Sequence, residues 1–180
     1  GNGNNATQLT ASQQPKIVDG GALVTGGLDF DGTDFFNTSL VPPSAATLIG
    51  VATWGVGGGM IVGARDSTNE RSYISRTAST SALILGVGSN NLPSELITIG
   101  DESLAFAAYS GTTANVSLNG VNTSFNGQNP PVNTTYGYRI GTLNSFGANI
   151  ATMNGRIREV IIYPSDQSAN RPAIEANINN

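Results

Sequence analysis

The chain has 180 residues, a formal net charge of −4 and 38% hydrophobic residues. That is a length suited to one domain, with enough apolar side chains for a core. It contains no Cys and no His, which excludes disulfides, thiolate nucleophiles, zinc sites built from either residue, His-based triads and His pH switches. Carboxylate chemistry and oxygen-ligated metals stay open.

No apolar run approaches the roughly 20 residues that a membrane-spanning helix needs. The basic residues are Lys16 and seven arginines, at 65, 71, 76, 139, 156, 158 and 171. They are scattered along the chain, and the sequence pI is about 4.5. A nucleic-acid binder needs a basic patch to displace counterions, so nucleic acid is not an expected partner. A mildly acidic, Lys-poor surface suits a soluble protein outside a cell.

In chain order, short apolar segments alternate with Gly, Asn, Ser, Thr and Pro, the all-β pattern. Strands are predicted over 15–19, 27–31, 47–54, 60–64, 71–76, 81–87, 96–100, 104–109, 114–118, 138–142 and 156–163. Eleven strands with short connections overfill one open sheet, and two packed antiparallel sheets bury them best. Asn119-Gly120 supplies the positive φ angles of a two-residue hairpin. Asn126-Gly127 and Asn154-Gly155 predict further turns. Gly57-Gly58-Gly59 reads as a hairpin turn, because a phosphate cradle would be followed by a helix and here β-like Met60-Ile61-Val62 follows. Asn129-Pro130-Pro131 predicts a loop, since proline cannot donate to a ladder. The run from Arg156 to Tyr163 becomes apolar on both faces, as in a strand covered on both sides. After Pro164, Ser168 is placed to cap a short terminal helix with Ile174 and Ile178 on one side. Residues 1–180 are read as a single domain.

Few side chains stand out chemically. Asp29-Phe30-Asp31-Gly32-Thr33-Asp34 is the densest acidic cluster. Asp29, Asp31 and Asp34 are the candidate ligands of a hard cation such as calcium. The same residues fit a turn held by Asx hydrogen bonds, or a carboxylate pair for acid–base chemistry. Glu159 sits on an otherwise apolar strand and needs a partner, with arginine the natural one. The single Trp, Trp54, ends a strand among valines and reads as core. Tyr73, Tyr109, Tyr136 and Tyr138 are the candidate ligand-binding residues, because each offers an apolar ring and a hydroxyl. Asn-X-Ser/Thr sequons stand at Asn5, Asn37, Asn115, Asn122 and Asn133.

Three stretches resemble one family. Gly1-Asn2-Gly3-Asn4-Asn5-Ala6-Thr7-Gln8, followed by Gln14-Pro15-Lys16-Ile17-Val18, resembles the start of concanavalin A-like (laminin-G-like) jelly-roll domains. These occur in phage structural proteins and bacterial surface proteins. In that family a Trp-Tyr-Asp-Gln-Ser run precedes this stretch, so the resemblance implies a further part of the protein upstream of Gly1. The segment from Leu28 to Phe35 looks like the family's Phe-Asp-Gly strand and turn. Gly155 to Tyr163, then 165–178, looks like its last strand and closing helix. The opening is also similar to the start of the arabinofuranosidase B catalytic domain. Nothing here matches the neighbourhoods of that enzyme's two catalytic carboxylates, and the Glu-x-Asp-x-x-Glu strand of jelly-roll glucanases has no counterpart.

The resemblance implies a two-sheet jelly-roll sandwich with a short C-terminal helix. It implies a non-enzymatic module on a virion (tail, fibre or capsid decoration) or a bacterial exterior. The expected partners are glycans or cell-surface polysaccharide, other virion or surface proteins, and copies of the chain in a homo-oligomer. Calcium is the candidate cofactor. Two alternatives stand beside this. One is a purely structural assembly subunit that packs through its sheet edges and the Ile174/Ile178 face. The other is a glycoside hydrolase drawing on Asp31, Asp34, Asp101, Glu102 and Glu159.

Overall fold

The computed structural model describes residues 5–66, 70–131 and 135–178. Gly1 to Asn4 of the first family-like stretch, and the sequon at Asn133, lie outside them. The chain forms two packed, mainly antiparallel sheets and one short C-terminal helix. Strands β1 (Val18–Asp19) and β2 (Ala22–Leu23) make a small separate hairpin. Then come β3 (Leu28–Asp31), β4 (Phe36–Asn37), β5 (Ala45–Trp54), β6 (Gly59–Arg65), β7 (Arg71–Arg76), β8 (Ala82–Gly88) and β9 (Asn90–Leu96). They are followed by β10 (Glu102–Ser110), β11 (Thr113–Leu118), β12 (Val121–Asn126), β13 (Arg139–Ile140), β14 (Leu143–Ser145), β15 (Ala148–Ile150) and β16 (Asn154–Tyr163). Helix α1 (Arg171–Ile178) closes the chain.

One sheet has six strands in the order β12-β11-β10-β5-β16-β3. The other has eight: β15-β14-β6-β7-β8-β9, with β13 paired to β6 and β4 paired to β13. The pairing of β14 with β6 is parallel. Period-2 alternation decides what each strand buries. On β5, Ala46, Leu48, Ala52 and Trp54 face the other sheet, while Ile49 and Val51 face outward. On β10, Ala105, Ala107 and Tyr109 point in, and Leu104 and Phe106 point out. The eight-stranded sheet answers with Ile61, Ile74, Leu83, Leu85 and Val87. The sheets approach so closely at Gly50 that a Cβ there would lie 2.6 Å from the Ile61 side chain.

The outer face of the six-stranded sheet is also apolar, and α1 covers it. Ile174 and Ile178 pack with Ile161 and Tyr163 against Ile49, Val51, Leu104 and Phe106. The sticky side of the terminal helix is therefore satisfied within the chain. Glu175 is buried on the same helix, accepting from Ser117 Oγ at 2.8 Å and from Arg171 Nη1 at 2.7 Å. β16 lies inside the sheet between β5 and β3 and is apolar on both faces, as its sequence predicts.

Several local expectations change. The predicted strand over 96–100 is not one; β9 forms instead over Asn90–Leu96. Pro93 argues against a strand, but β9 is a sheet edge, where proline is tolerated. Gly57-Gly58-Gly59 makes no hairpin, because β5 and β6 lie in different sheets and this stretch carries the chain across the sandwich. Asn154-Gly155 is part of β16, where Gly155 takes φ +138 and a Cβ would lie 2.3 Å from the Thr53 carbonyl. Ser168 does not cap α1; its hydroxyl donates to Asp166 at 2.5 Å. Asn119-Gly120 does turn the β11–β12 hairpin, with φ 49 and 88. No helix among the described residues is long and apolar enough to cross a membrane.

A buried hydroxyl network ties the sheets together. Ser72 Oγ on β7 bonds the hydroxyl of Tyr109 at 3.0 Å and that of Tyr138. Tyr109 donates on to the Pro43 carbonyl at 3.1 Å. Ser72→Ala takes one partner from both tyrosine hydroxyls and is expected to cost about 1–3 kcal/mol, read from urea unfolding.

Candidate functional site

Among the described residues no helix covers the outer face of the eight-stranded sheet. Strand alternation places Met60, Gly63 and Arg65 of β6, Arg71, Tyr73 and Ser75 of β7, and Ala82, Ile84 and Gly86 of β8 on that face. Of these, Met60, Arg65, Tyr73 and Ser75 line a groove of about 590 Å³, together with Gly58, Thr77 and Ala78 and with Ile150, Ala151 and Thr152. That volume lies in the range of small-ligand clefts. No carboxylate lines it, and two of its lining residues are arginines, Arg65 and Arg76.

Tyr73 is central to this face. It pairs across β6 with Gly63 and across β8 with Gly86. A Cβ at Gly86 would stand 2.3 Å from the Tyr73 ring. The glycine therefore lets the ring lie down over β8 toward β9. There its hydroxyl donates to Asn91 Oδ1, which also accepts from Arg71 Nη1 at 2.9 Å. Burial raises the Tyr73 pKa, so the phenol stays protonated and a donor. The residue is 8% exposed, and part of it lines the groove.

One end of the face carries a cluster the sequence does not announce. Phe146 is 50% exposed and takes φ 53, rare for a bulky residue. The Arg65 guanidinium lies 5.2 Å over its ring, and Tyr136 meets it edge-on at 6.5 Å. Arg65 donates from Nε and Nη2 to Ser145 Oγ at 3.2 and 2.8 Å. The hint in the sequence is an aromatic residue flanked by Ser145 and Gly147 between two short strands. At the other end Arg76, only 3% exposed, bonds the Gly57 carbonyl and donates to Ser81 Oγ at 2.8 Å.

The four candidate tyrosines thus part company. Tyr73 lies in the groove, and Tyr136 stands beside Phe146. Tyr109 and Tyr138 are 1% and 0% exposed, with both hydroxyls committed to Ser72. Their rings fill the space between the sheets and offer no surface for a ligand. Burial pushes the pKa of each upward, well above the ordinary value for Tyr138.

Of the three aspartates, Asp31 and Asp34 lie side by side while Asp29 turns to Arg156. Asp31 Oδ1 accepts from the Thr33 amide at 2.9 Å and hydroxyl at 2.8 Å. Asp34 Oδ2 accepts from the Asp31 amide at 3.0 Å. Asp29 faces Arg156 at 3.8 Å. This is the Asx-type turn that the sequence allows. The Thr33 hydrogen bonds hold the Asp31 pKa below its usual value, whereas burial raises that of Asp34. Among the described residues no group of three or more acidic side chains is placed to hold a metal ion. On β16 Arg158 also forms an ion pair, with Glu102 at 3.4 Å, while Glu159 forms none among the described residues. Trp54 is core, as read.

The sequence matches no protein-family model. It has no significant match among curated proteins. The fold has solved counterparts. A candidate carbohydrate-binding protein from Bacteroides ovatus is similar over 72% of this chain and 40% of its own, with 14% identity and a TM-score of 0.57. Trypanosoma rangeli sialidase in complex with sialic acid is similar over 88% of this chain and 28% of its own, with 14% identity and a TM-score of 0.61. The CBM40 domain of Ruminococcus gnavus IT-sialidase, bound to α2,6-sialyllactose, covers 76% of this chain and 84% of its own, with 9% identity and a TM-score of 0.58. At such identities the likeness is one of fold. The chain spans well under half of the first two proteins.

The glycine beneath Tyr73 is testable. Gly86→Ala forces the ring upward and is expected to destabilise the protein by about 1–3 kcal/mol in urea. In a Tyr73→Ala background the same change should cost much less.

Proposed function

We propose that this chain is a non-catalytic glycan-binding module of the concanavalin A-like, jelly-roll type. It acts on the exterior of a virion or a bacterium, and its site is the open face of the eight-stranded sheet. The observation that carries the reading is the groove itself. It combines an aromatic ring, aliphatic walls, guanidinium donors and amide and hydroxyl partners, with no carboxylate in its lining. Sugars present apolar C–H faces and rings of hydroxyls, which such a mixed surface satisfies. Glycosidic hydrolysis needs two carboxylates facing each other across the cleft, and this lining has none to supply. The fold neighbours lend support, since they include a candidate carbohydrate-binding protein and a sialidase domain bound to a sialylated sugar.

Single-site affinity on a shallow polar surface is low, and repetition on an oligomer raises it. The assembly-subunit alternative keeps its sheet edges but not the Ile174/Ile178 face, which packs on the chain's own sheet.

The test is a glycan array probed with the whole chain, with and without calcium, followed by calorimetry on the hits. Binding should appear and should weaken about two- to tenfold in Phe146→Ala, which removes a half-exposed ring from the rim. Tyr73→Ala should weaken it further. Absence of binding to any glycan in either condition contradicts the proposal, as does binding that both variants leave unchanged.

A further inference from the structure

Strand β16 has a neighbour on both sides only at its start. On one side it runs along β5 as far as Tyr163, whereas on the other β3 pairs with it from Asn154 to Ile157 and no further. Just before β3 the chain swings away at Gly27, where φ is +118 and a Cβ would lie 2.5 Å from the Ile157 carbonyl oxygen. Among the described residues nothing pairs with 158–163 on that side. Alternate residues of a strand turn their N–H and C=O to the same side, so this stretch presents an unpaired backbone edge. Glu159, Val160, Ile161, Ile162 and Tyr163 are all half-buried, while Leu48, Ile49 and Val51 beside them on β5 are buried. Edges elsewhere are blunted, β9 by Pro93 and β4 and β15 by lengths of two and three residues. Between Val160 and Tyr163 this edge has no charge, proline or bulge.

Hollows flank the edge on both faces. On the outer face one of about 340 Å³ is lined by Glu159, Ile161 and Tyr163 and by the flank of α1 at Ile174 and Ile178. On the inner face two, of about 330 and 200 Å³, lie between the sheets and share Ile140 and Val160. The chain over 36–40 roofs them. Thr38 N–H donates to the Tyr138 carbonyl at 3.1 Å and Tyr138 N–H to that of Leu40 at 2.8 Å, which holds this segment alongside β13. Phe36 meets Phe30 of β3 edge-on at 6.3 Å, over the line that a further strand would follow. A second copy does not fit beneath this roof, because it would bring its own β13, lying over its own β16, into the same space. A lone extended strand does fit, since its side chains alternate between the inner and outer hollows. Glu159 sets the charge: it borders both the outer hollow and the larger inner one, and it forms no ion pair among the described residues.

We infer that the open edge of β16 takes an extended segment of a partner protein as an added strand, with a basic side chain beside Glu159 and apolar side chains beside Val160, Ile161 and Ile162. In strand addition the main-chain hydrogen bonds supply affinity and the pockets for alternate side chains supply selectivity. Opposite charges directly across a ladder stabilise it, and like charges do the reverse. The edge belongs to the six-stranded sheet, so this contact is independent of the glycan groove on the other sheet and leaves it open.

The experiment is fluorescence anisotropy on the whole chain with labelled peptides built on Lys-Val-Ile-Val-Lys, whose symmetry serves either strand direction. Three controls accompany it. Glu-Val-Ile-Val-Glu reverses the charge, Lys-Ser-Ser-Ser-Lys keeps the charge without the apolar side chains, and a form N-methylated at its three apolar residues keeps the side chains but cannot pair as a strand. The lysine peptide should bind about tenfold or more tightly than each control. Glu159→Gln should remove most of the margin over the glutamate peptide. Ile162→Lys, which puts a charge into the inner hollow, should weaken binding about tenfold or more; if that variant fails to fold, the N-methylated peptide carries this arm. Absence of binding by the lysine peptide overturns the inference, as does equal binding by its N-methylated form. A charge preference that survives Glu159→Gln overturns the match to a basic partner. Self-association in sedimentation that Ile162→Lys abolishes gives the edge to a second copy and overturns the assignment to a partner. Refusal of the peptide by a longer form of the chain overturns it likewise, in favour of the chain's own upstream residues.

Discussion

Each strand of a two-sheet sandwich has an inner and an outer side, and packing the sheets together covers only the inner one. What covers the outer sides decides where such a protein meets its surroundings. Here the six-stranded sheet carries Ile49, Val51, Leu104 and Phe106 outward, and the terminal helix lies on them. Among the described residues the eight-stranded sheet has no helix over it. Its outer side carries Met60, Tyr73, Ala82, Ile84 and Leu143, bordered by arginines and amides. The division of labour between the two faces follows from that difference.

The same division runs through the charges. On the six-stranded side Arg156, Arg158 and Arg171 each meet a carboxylate. On the eight-stranded side the guanidiniums are anchored by neutral acceptors and an aromatic ring. Arg139 follows the pattern, donating to Asn37, Asn149 and the Gly147 carbonyl. On this sheet Arg65 and Arg71 stand in register, each held by a neutral acceptor.

Much of the fold was legible from alternation. β5, β7, β10 and β16 lie close to where their apolar periods put them, and Asn119-Gly120 marks its hairpin. The misses have local causes. β9 is polar and holds Pro93, so it reads as a loop until its edge position is known. β14 and β15 are three residues each, too short for a period to show. Asn154-Gly155 carries a turn signature, but its glycine serves a close approach to Thr53 instead. The site was legible only in part. Residue type brought up Tyr73, which lines the groove, yet could not separate it from Tyr109 and Tyr138, because facing in or out depends on which sheet lies opposite. The arginines look scattered in sequence, and only register brings Arg65 opposite Arg71. Phe146 owes its exposure to a left-handed backbone angle that no periodicity reveals.

The most direct test of the account is a map of amide chemical shifts while the labelled protein is titrated with whichever glycan binds it. The account predicts the largest changes at Gly63, Arg65, Arg71, Tyr73, Gly86 and Asn91, across adjacent strands of the eight-stranded sheet. Changes centred on Glu159, Ile161 and helix α1 would place the ligand on the opposite face and contradict it.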